Sequence, residues 1–157
     1  MTAVHVPDDI MFNTAAVTDP AGFVESTGAR SWLYLCGPEF ESMDNGLSYA
    51  QVQASVAESE NIISDPPRVL GVDLARQHVA ALDRLRRPTV VTCRVGPRAS
   101  AVVYLYAGLR AGASVEEVLA LADADSAPFA TFPEYRAFVA DSLAALSSEE
   151  STETVPA

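Results

Sequence analysis

The stretch from residue 72 to residue 112 most constrains what this chain can fold into. "VDLARQHVAALDRL" sets Leu74, His78 or Val79, Leu82 and Leu85 at helical spacing, which predicts a helix with one apolar face and Asp73 placed to cap it. "RRPTVVTC" then predicts a β-branched strand introduced by a proline, and "ASAVVYLYAGLRAG" an apolar helix stopped by Gly112. A buried strand flanked directly by two apolar helices belongs between helical layers, because its side chains need cover on both faces.

The rest of the chain continues this alternation. "TDPAGFVESTGA" predicts a short helix with Asp19 as N-cap, Pro20 in the first position and Gly28 as the stop, and "SWLYLC" the first buried strand. Ser48 and Gln51 have capping-box spacing at the start of "SYAQVQASVAESE", and "NIIS" before "DPP" reads as a brief strand running into a turn. Ser114 and Glu117 repeat the capping box ahead of "VEEVLALADA", and "FPEYRAFVADSLAAL" predicts a last helix with Pro133 in its first turn. The fold class expected is therefore α/β, a single-domain three-layer sandwich around a small, mostly parallel central sheet. Residues 1–146 form that domain, and residues 147–157, "SSEESTETVPA", are expected to be a disordered acidic tail.

Composition narrows the function. With 157 residues, 49% of them hydrophobic, the chain can build one core. Ten basic residues against 21 acidic ones leave no broad positive surface for nucleic acid or anionic lipid. No window approaches the roughly 18 apolar residues of a membrane span, and "MTAVHVPDDI" lacks the basic start and apolar middle of a secretory signal. A cytoplasmic location is expected. Two cysteines, Cys36 and Cys93, are too few for a disulfide framework, and with only His5 and His78 no metal-ligand spacing appears. Neither a metal nor another cofactor is expected.

In α/β sheets ligands sit beyond the carboxyl ends of the strands, and Cys93 ends the strand "TVVT". The loop "CRVGPR" leads from it into a helix N-terminus, where backbone N–H groups and the helix dipole favour an anion. The same field stabilises a thiolate, making Cys93 more nucleophilic at neutral pH than a free cysteine. Gly96 permits backbone angles closed to other residues, and Arg98 offers a two-pronged donor set to an oxyanion. Taken alone, a strand-end cysteine is more often packing than catalysis; the glycine and arginine at these spacings turn the reading toward a nucleophile. Cys36 reads as a core residue, with a second reading that makes it a disulfide partner of Cys93. His78, on an apolar helix face, reads as packed or half-exposed.

"CRVGPR" resembles the cysteine loop of the small phosphatase-like and rhodanese-like domains of the beta-lactamase hydrolase-like family, whose usual form is Cys-Arg-Ser-Gly-Thr-Arg-Ser. "GARSWLYLCGPE" is similar to that family's early glycine, strand and Asn-Leu-Arg-Pro-Asp segment, and "GASVEEVLALA" to its last helix; the resemblance spans residues 10 to 125 or so, and only the cysteine loop is specific. It implies a phosphatase-like fold, Cys93 as nucleophile, an anion-binding loop of Arg94, Val95, Gly96, Pro97 and Ala99, and Arg98 closing it. The loop departs from the pattern at Val95 (serine), Pro97 (threonine) and Ala99 (serine), and Cys36 replaces the arginine of the early segment. Pro97 also removes one N–H donor, so the cradle is expected to hold a tetrahedral dianion less well.

Two chemistries follow. The four residues between Cys93 and Arg98 match rhodanese-like loops, whereas tyrosine and dual-specificity phosphatase loops are one residue longer. A tighter ring suits a single added sulfur, so a sulfurtransferase forming a persulfide on Cys93 is the first expectation. A cysteine-dependent phosphatase is the alternative. It needs an acid for the leaving oxygen, for which Asp65 in "SDPP" and Asp73 are candidates, although their first readings are turn residue and helix cap. A catalytically weak anion-binding module is the third reading. The expected partner is a small anionic substrate, or a sulfur donor and acceptor; "FPEYRAF" is read either as a cover for the sheet or as an oligomer contact.

Overall fold

The computed structural model describes residues 4–153, and side chains to residue 150. Four strands, β1 (Ile10–Phe12), β2 (Ser31–Tyr34), β3 (Glu58–Asn61) and β4 (Thr89–Thr92), form one sheet in the order β1-β4-β2-β3. Every pairing is parallel, with Ile10 and Ser31 both opposite Thr89 and Ser31 also opposite Glu58. The central strands β2 and β4 are buried along their whole length, as strands covered on both faces must be.

Helices α1 (Pro20–Thr27) and α3 (Tyr49–Ser55) cover one face; α5 (Pro97–Ala111) covers the other, with α4 (Val72–Arg84), α6 (Val115–Ala124) and α7 (Pro133–Glu153) packed around it. Helix α5 is buried from Ala99 to Leu109 because β1 and β4 lie on one side of it and α7 on the other. This is the three-layer α/β domain expected. The predicted caps are present: Asp19 accepts from Gly22 N–H, and Ser48–Gln51 and Ser114–Glu117 close reciprocal capping boxes.

Several elements differ from expectation. Strand β1 precedes the strand read as first; at three residues it is too short to show a period, and its pairing with β4 makes it. Strand β3 lies at "ESEN" rather than "NIIS", because register with β2 outweighs apolar content on an edge, where Glu58 and Glu60 face Arg86 and Arg84. Gly71, not Asp73, caps α4; Asp73 sits exposed in the first turn beside Arg76. A one-turn helix α2 (Pro38–Glu41) and a 3-10 turn at Pro128–Thr131 carry no sequence periodicity and were not anticipated. The expected disordered tail is helical as far as Glu153: Glu149 pairs with Arg76 and Glu150 with Arg110, so the acidic residues have cations to meet. Residues 154–157 of that expectation lie outside the described residues.

Candidate active site

Strand β4 ends at Thr92, and Cys93 begins the turn into α5. Asn13, just past β1, holds this point in place: its side-chain amide donates to the Cys93 carbonyl (3.1 Å), and its oxygen accepts the Cys93 N–H (3.2 Å). Gly96 caps α5 with φ at 120°, a conformation that excludes other residues, and a Cβ there would stand 2.3 Å from the Asn13 carbonyl oxygen. The loop thereby curls around the sulfur. Gly96 N–H (3.1 Å) and Ala99 N–H (3.4 Å) both donate to Cys93 Sγ at the start of α5. The N–H groups of Arg94, Val95 and Arg98 have no acceptor among the described residues and remain for an incoming anion.

Cys93 lines a cleft of about 210 Å³ together with Asp65, Arg94, Val95, Pro97 and Arg98. The predicted residues therefore converge, apart from Gly96 and Ala99, which are buried with their N–H groups on the sulfur. Asp73 does not reach the cleft.

The cations are less free than the sequence implied. Arg98 donates through Nε to the Tyr135 hydroxyl (3.0 Å) and through Nη1 to the carbonyls of Ser64 and Arg68 (3.0 Å to the latter), and its guanidinium lies over the Tyr135 ring. Two of its three nitrogens are spent on protein acceptors, which leaves Nη2 for a ligand, in place of the two-pronged grip expected. Arg94 donates through Nε to Asp65 Oδ2 (3.0 Å) and through Nη2 to the Pro66 carbonyl (3.0 Å), with Nη2 also 2.9 Å from Asp65 Oδ2 as an ion pair, beside the Phe40 ring.

Asp65 is fully buried and accepts from Gly37 N–H at 3.0 Å as well as from Arg94. It is a turn residue, its carbonyl accepting Arg68 N–H, and at the same time the one acid that lines the cleft. Behind it, His78 is buried with Nε2 2.8 Å from Ser64 Oγ; burial pushes the imidazole down to about 3. Cys36 is buried at the end of β2 with its thiol free, and burial followed by the charge of Asp65 pushes that thiol well above the usual range.

Tyr135 and Phe132 complete the cleft wall, and Asn13 its support; the sequence reading missed all three as site residues. "FPEYRAF" is thus neither a remote cover nor, within this chain, an isolated patch: it delivers the aromatic wall. No signal in the sequence tied these residues to Cys93, since the contacts span 37 to 80 residues. Among the described residues no His, Cys, Asp and Glu cluster could hold a metal ion, and no helix is long and apolar enough to cross a membrane.

No protein-family model matches the chain, and no curated protein does. Its fold, however, matches solved structures. PTPMT1 superimposes with a TM-score of 0.63 at 11% identity, over 95% of this chain and 98% of that one. The catalytic core of the PP-IP phosphatase SIW14 from S. cerevisiae gives 0.59 at 16% identity, over 94% and 91%. A DUF442 protein of Shewanella putrefaciens gives 0.62 at 18% identity, over 92% and 91%. The chain has a phosphatase-like fold of the type that cysteine-dependent phosphatases use.

Proposed function

We propose that this protein is a cysteine-dependent phosphatase acting on a small phosphate monoester. The observation that carries the reading is Cys93 Sγ in a strand-loop-helix cradle, with two N–H groups already on it and a cleft beside it lined by Arg94 and Arg98. The fold relatives add weight: the SIW14 core holds citrate, and PTPMT1 has been seen with PI(5)P, both anions.

In this mechanism the Cys93 thiolate attacks phosphorus, an S–P bond forms as the ester P–O bond breaks, and the leaving oxygen takes a proton. Water then attacks the phosphocysteine, releasing phosphate and restoring the thiolate. The free N–H groups and Arg98 Nη2 hold the equatorial oxygens as their charge develops. Asp65 is the acid within reach of the leaving oxygen. Arg94 is paired with it in the free protein, so an arriving anion competes with Asp65 for that guanidinium.

The sulfurtransferase, the first expectation from the sequence, moves to second place because the fold relatives favour the alternative. Its support is the four-residue loop and Pro97, which supplies no N–H: a persulfide sulfur needs fewer donors than a phosphoryl group. One experiment separates the two. The phosphatase reading expects para-nitrophenyl phosphate to be hydrolysed, with a phosphoryl group trapped on Cys93 in acid-quenched protein and turnover lost in Cys93→Ser. A persulfide on Cys93 after thiosulfate, with thiocyanate formed from cyanide and no phosphate released, would reverse the order. Neither activity, with Cys93 inert, leaves the anion-binding module.

A further inference from the structure

Among the described residues four large hydrophobic side chains are exposed: Met43, Val69, Val95 and Phe132. Solitary exposed apolar residues are ordinary, but these four gather at one place. Val95 and Phe132 line the Cys93 cleft. Met43 Sδ lies 3.9 Å from Arg94 Nη1, on the cleft's rim. Val69, 85% exposed, borders the adjoining depression, which shares Pro66, Arg98 and Tyr135 with the cleft. Val95 also stands where the resembled loop carries a serine. An apolar rim therefore surrounds an anion cradle.

We propose that the cleft takes phosphate esters of an apolar body, the phosphate descending to Cys93 while the hydrocarbon part rests on Phe132, Val95, Met43 and Val69. This deepens the phosphatase reading and rests on it. The occupant is a dissolved single molecule rather than a bilayer surface. The formal net charge of −11 opposes approach to an anionic membrane, and Cys93 is buried where it lines the cleft. The aromatic pair Phe132 and Tyr135, with ring centroids 5.3 Å apart, forms the most extended apolar surface there.

The test is a series of n-alkylphosphonates from methyl to hexyl, whose P–C bond the protein cannot cleave, read by calorimetry and by protection of Cys93 from iodoacetamide. Affinity is expected to rise about two- to fourfold per methylene over the first carbons and then level off as the chain leaves the rim. Phe132→Ser is expected to flatten that rise. Met43→Ser, across the mouth, supplies the same readout if Phe132→Ser does not fold. Equal affinity for methyl- and hexylphosphonate would overturn the proposal and leave the phosphatase reading standing. Failure of both inorganic phosphate and methylphosphonate to protect Cys93 removes both. Binding that sets in only when the amphiphile aggregates assigns the rim to a lipid surface and overturns the proposal as stated.

Discussion

The two cysteines mark two strand ends built on nearly the same plan. Strands β2 and β4 are parallel neighbours, Tyr34 opposite Thr92, and each is followed by a cysteine and then by a Gly-Pro pair that starts a helix: Gly37-Pro38 for α2, Gly96-Pro97 for α5. The difference is two residues. Gly37 directly follows Cys36, so its N–H cannot fold back on that sulfur and donates instead to the Asp65 carboxylate. Arg94 and Val95 separate Cys93 from Gly96, and with that slack the Gly96 N–H returns to Sγ at 3.1 Å. One helix start is occupied by the protein's own anion and the other is left open for a foreign one. On the proposed reading, what sets Cys93 apart is loop length, a glycine at positive φ and a long helix behind it; position at a strand end is not enough.

The largest expected effect tests that contrast directly. Cys93→Ser should lower phosphate ester turnover at least about a thousandfold, since a hydroxyl in the same cradle is a far weaker nucleophile. Cys36→Ala should leave turnover within roughly threefold while costing about 1 kcal/mol of stability from lost packing. Iodoacetamide at about pH 6.5 should label Cys93 and spare Cys36, whose thiol is both buried and pushed up. Labelling of both at equal rates in native protein would erase the distinction between the two ends.

Next in size are the glycines. Gly96→Ala places a Cβ against backbone, 2.3 Å from Asn13 O, at φ 120°, and should cost about 3 kcal/mol and slow turnover about a hundredfold as the cradle shifts. Gly37 has an ordinary φ of −119°, and its Cβ would meet a movable side-chain atom, Ile63 Cγ2, at 2.6 Å. Gly37→Ala should therefore cost only about 1 kcal/mol, measured by urea unfolding. Similar losses at the two positions would show that the strained turn is not what sets the Cys93 end apart.

How much of this was readable in the sequence depends on how local each device is. Capping boxes, the proline and glycine limits of α5, and the cysteine loop act within a few residues, and the sequence displays them. Strands β1 and β3 exist through register with β4 and β2, and their own residues do not announce them. The loop spacing brings Arg98 into the cleft beside Cys93, yet its orientation is imposed by Tyr135 and by the carbonyls of Ser64 and Arg68, which lie 30 to 37 residues away along the chain. The role of Asp65 was open for the same reason: only the fold brings Gly37 and Arg94 to its two oxygens.

The smallest effect concerns what delivers Asp65 to the Cys36 end. Ser64 N–H donates to the Leu35 carbonyl and Ser64 Oγ to that of Ile62, so His78 Nε2 must carry the hydrogen that Ser64 Oγ accepts. His78 Nδ1 is then a bare lone pair, with no partner, in a buried site where Phe138 packs edge-on against the ring. Protonating it would bury an unpaired N–H and a charge, which is why the imidazole is held near 3. Because the folded value lies below the unfolded one of about 6.5, the unfolded chain binds a proton between them that the native chain refuses. Stability from this residue is complete above about pH 6.5 and falls as pH drops toward 3, at up to about 1.4 kcal/mol per unit. Between about pH 7 and pH 5 the chain should lose about 2 kcal/mol more than His78→Gln does, while carboxylates elsewhere titrate in both and cancel. Urea unfolding of the two proteins at both pH values measures the difference. An identical loss would mean that burial does not keep the His78 imidazole neutral in the native protein.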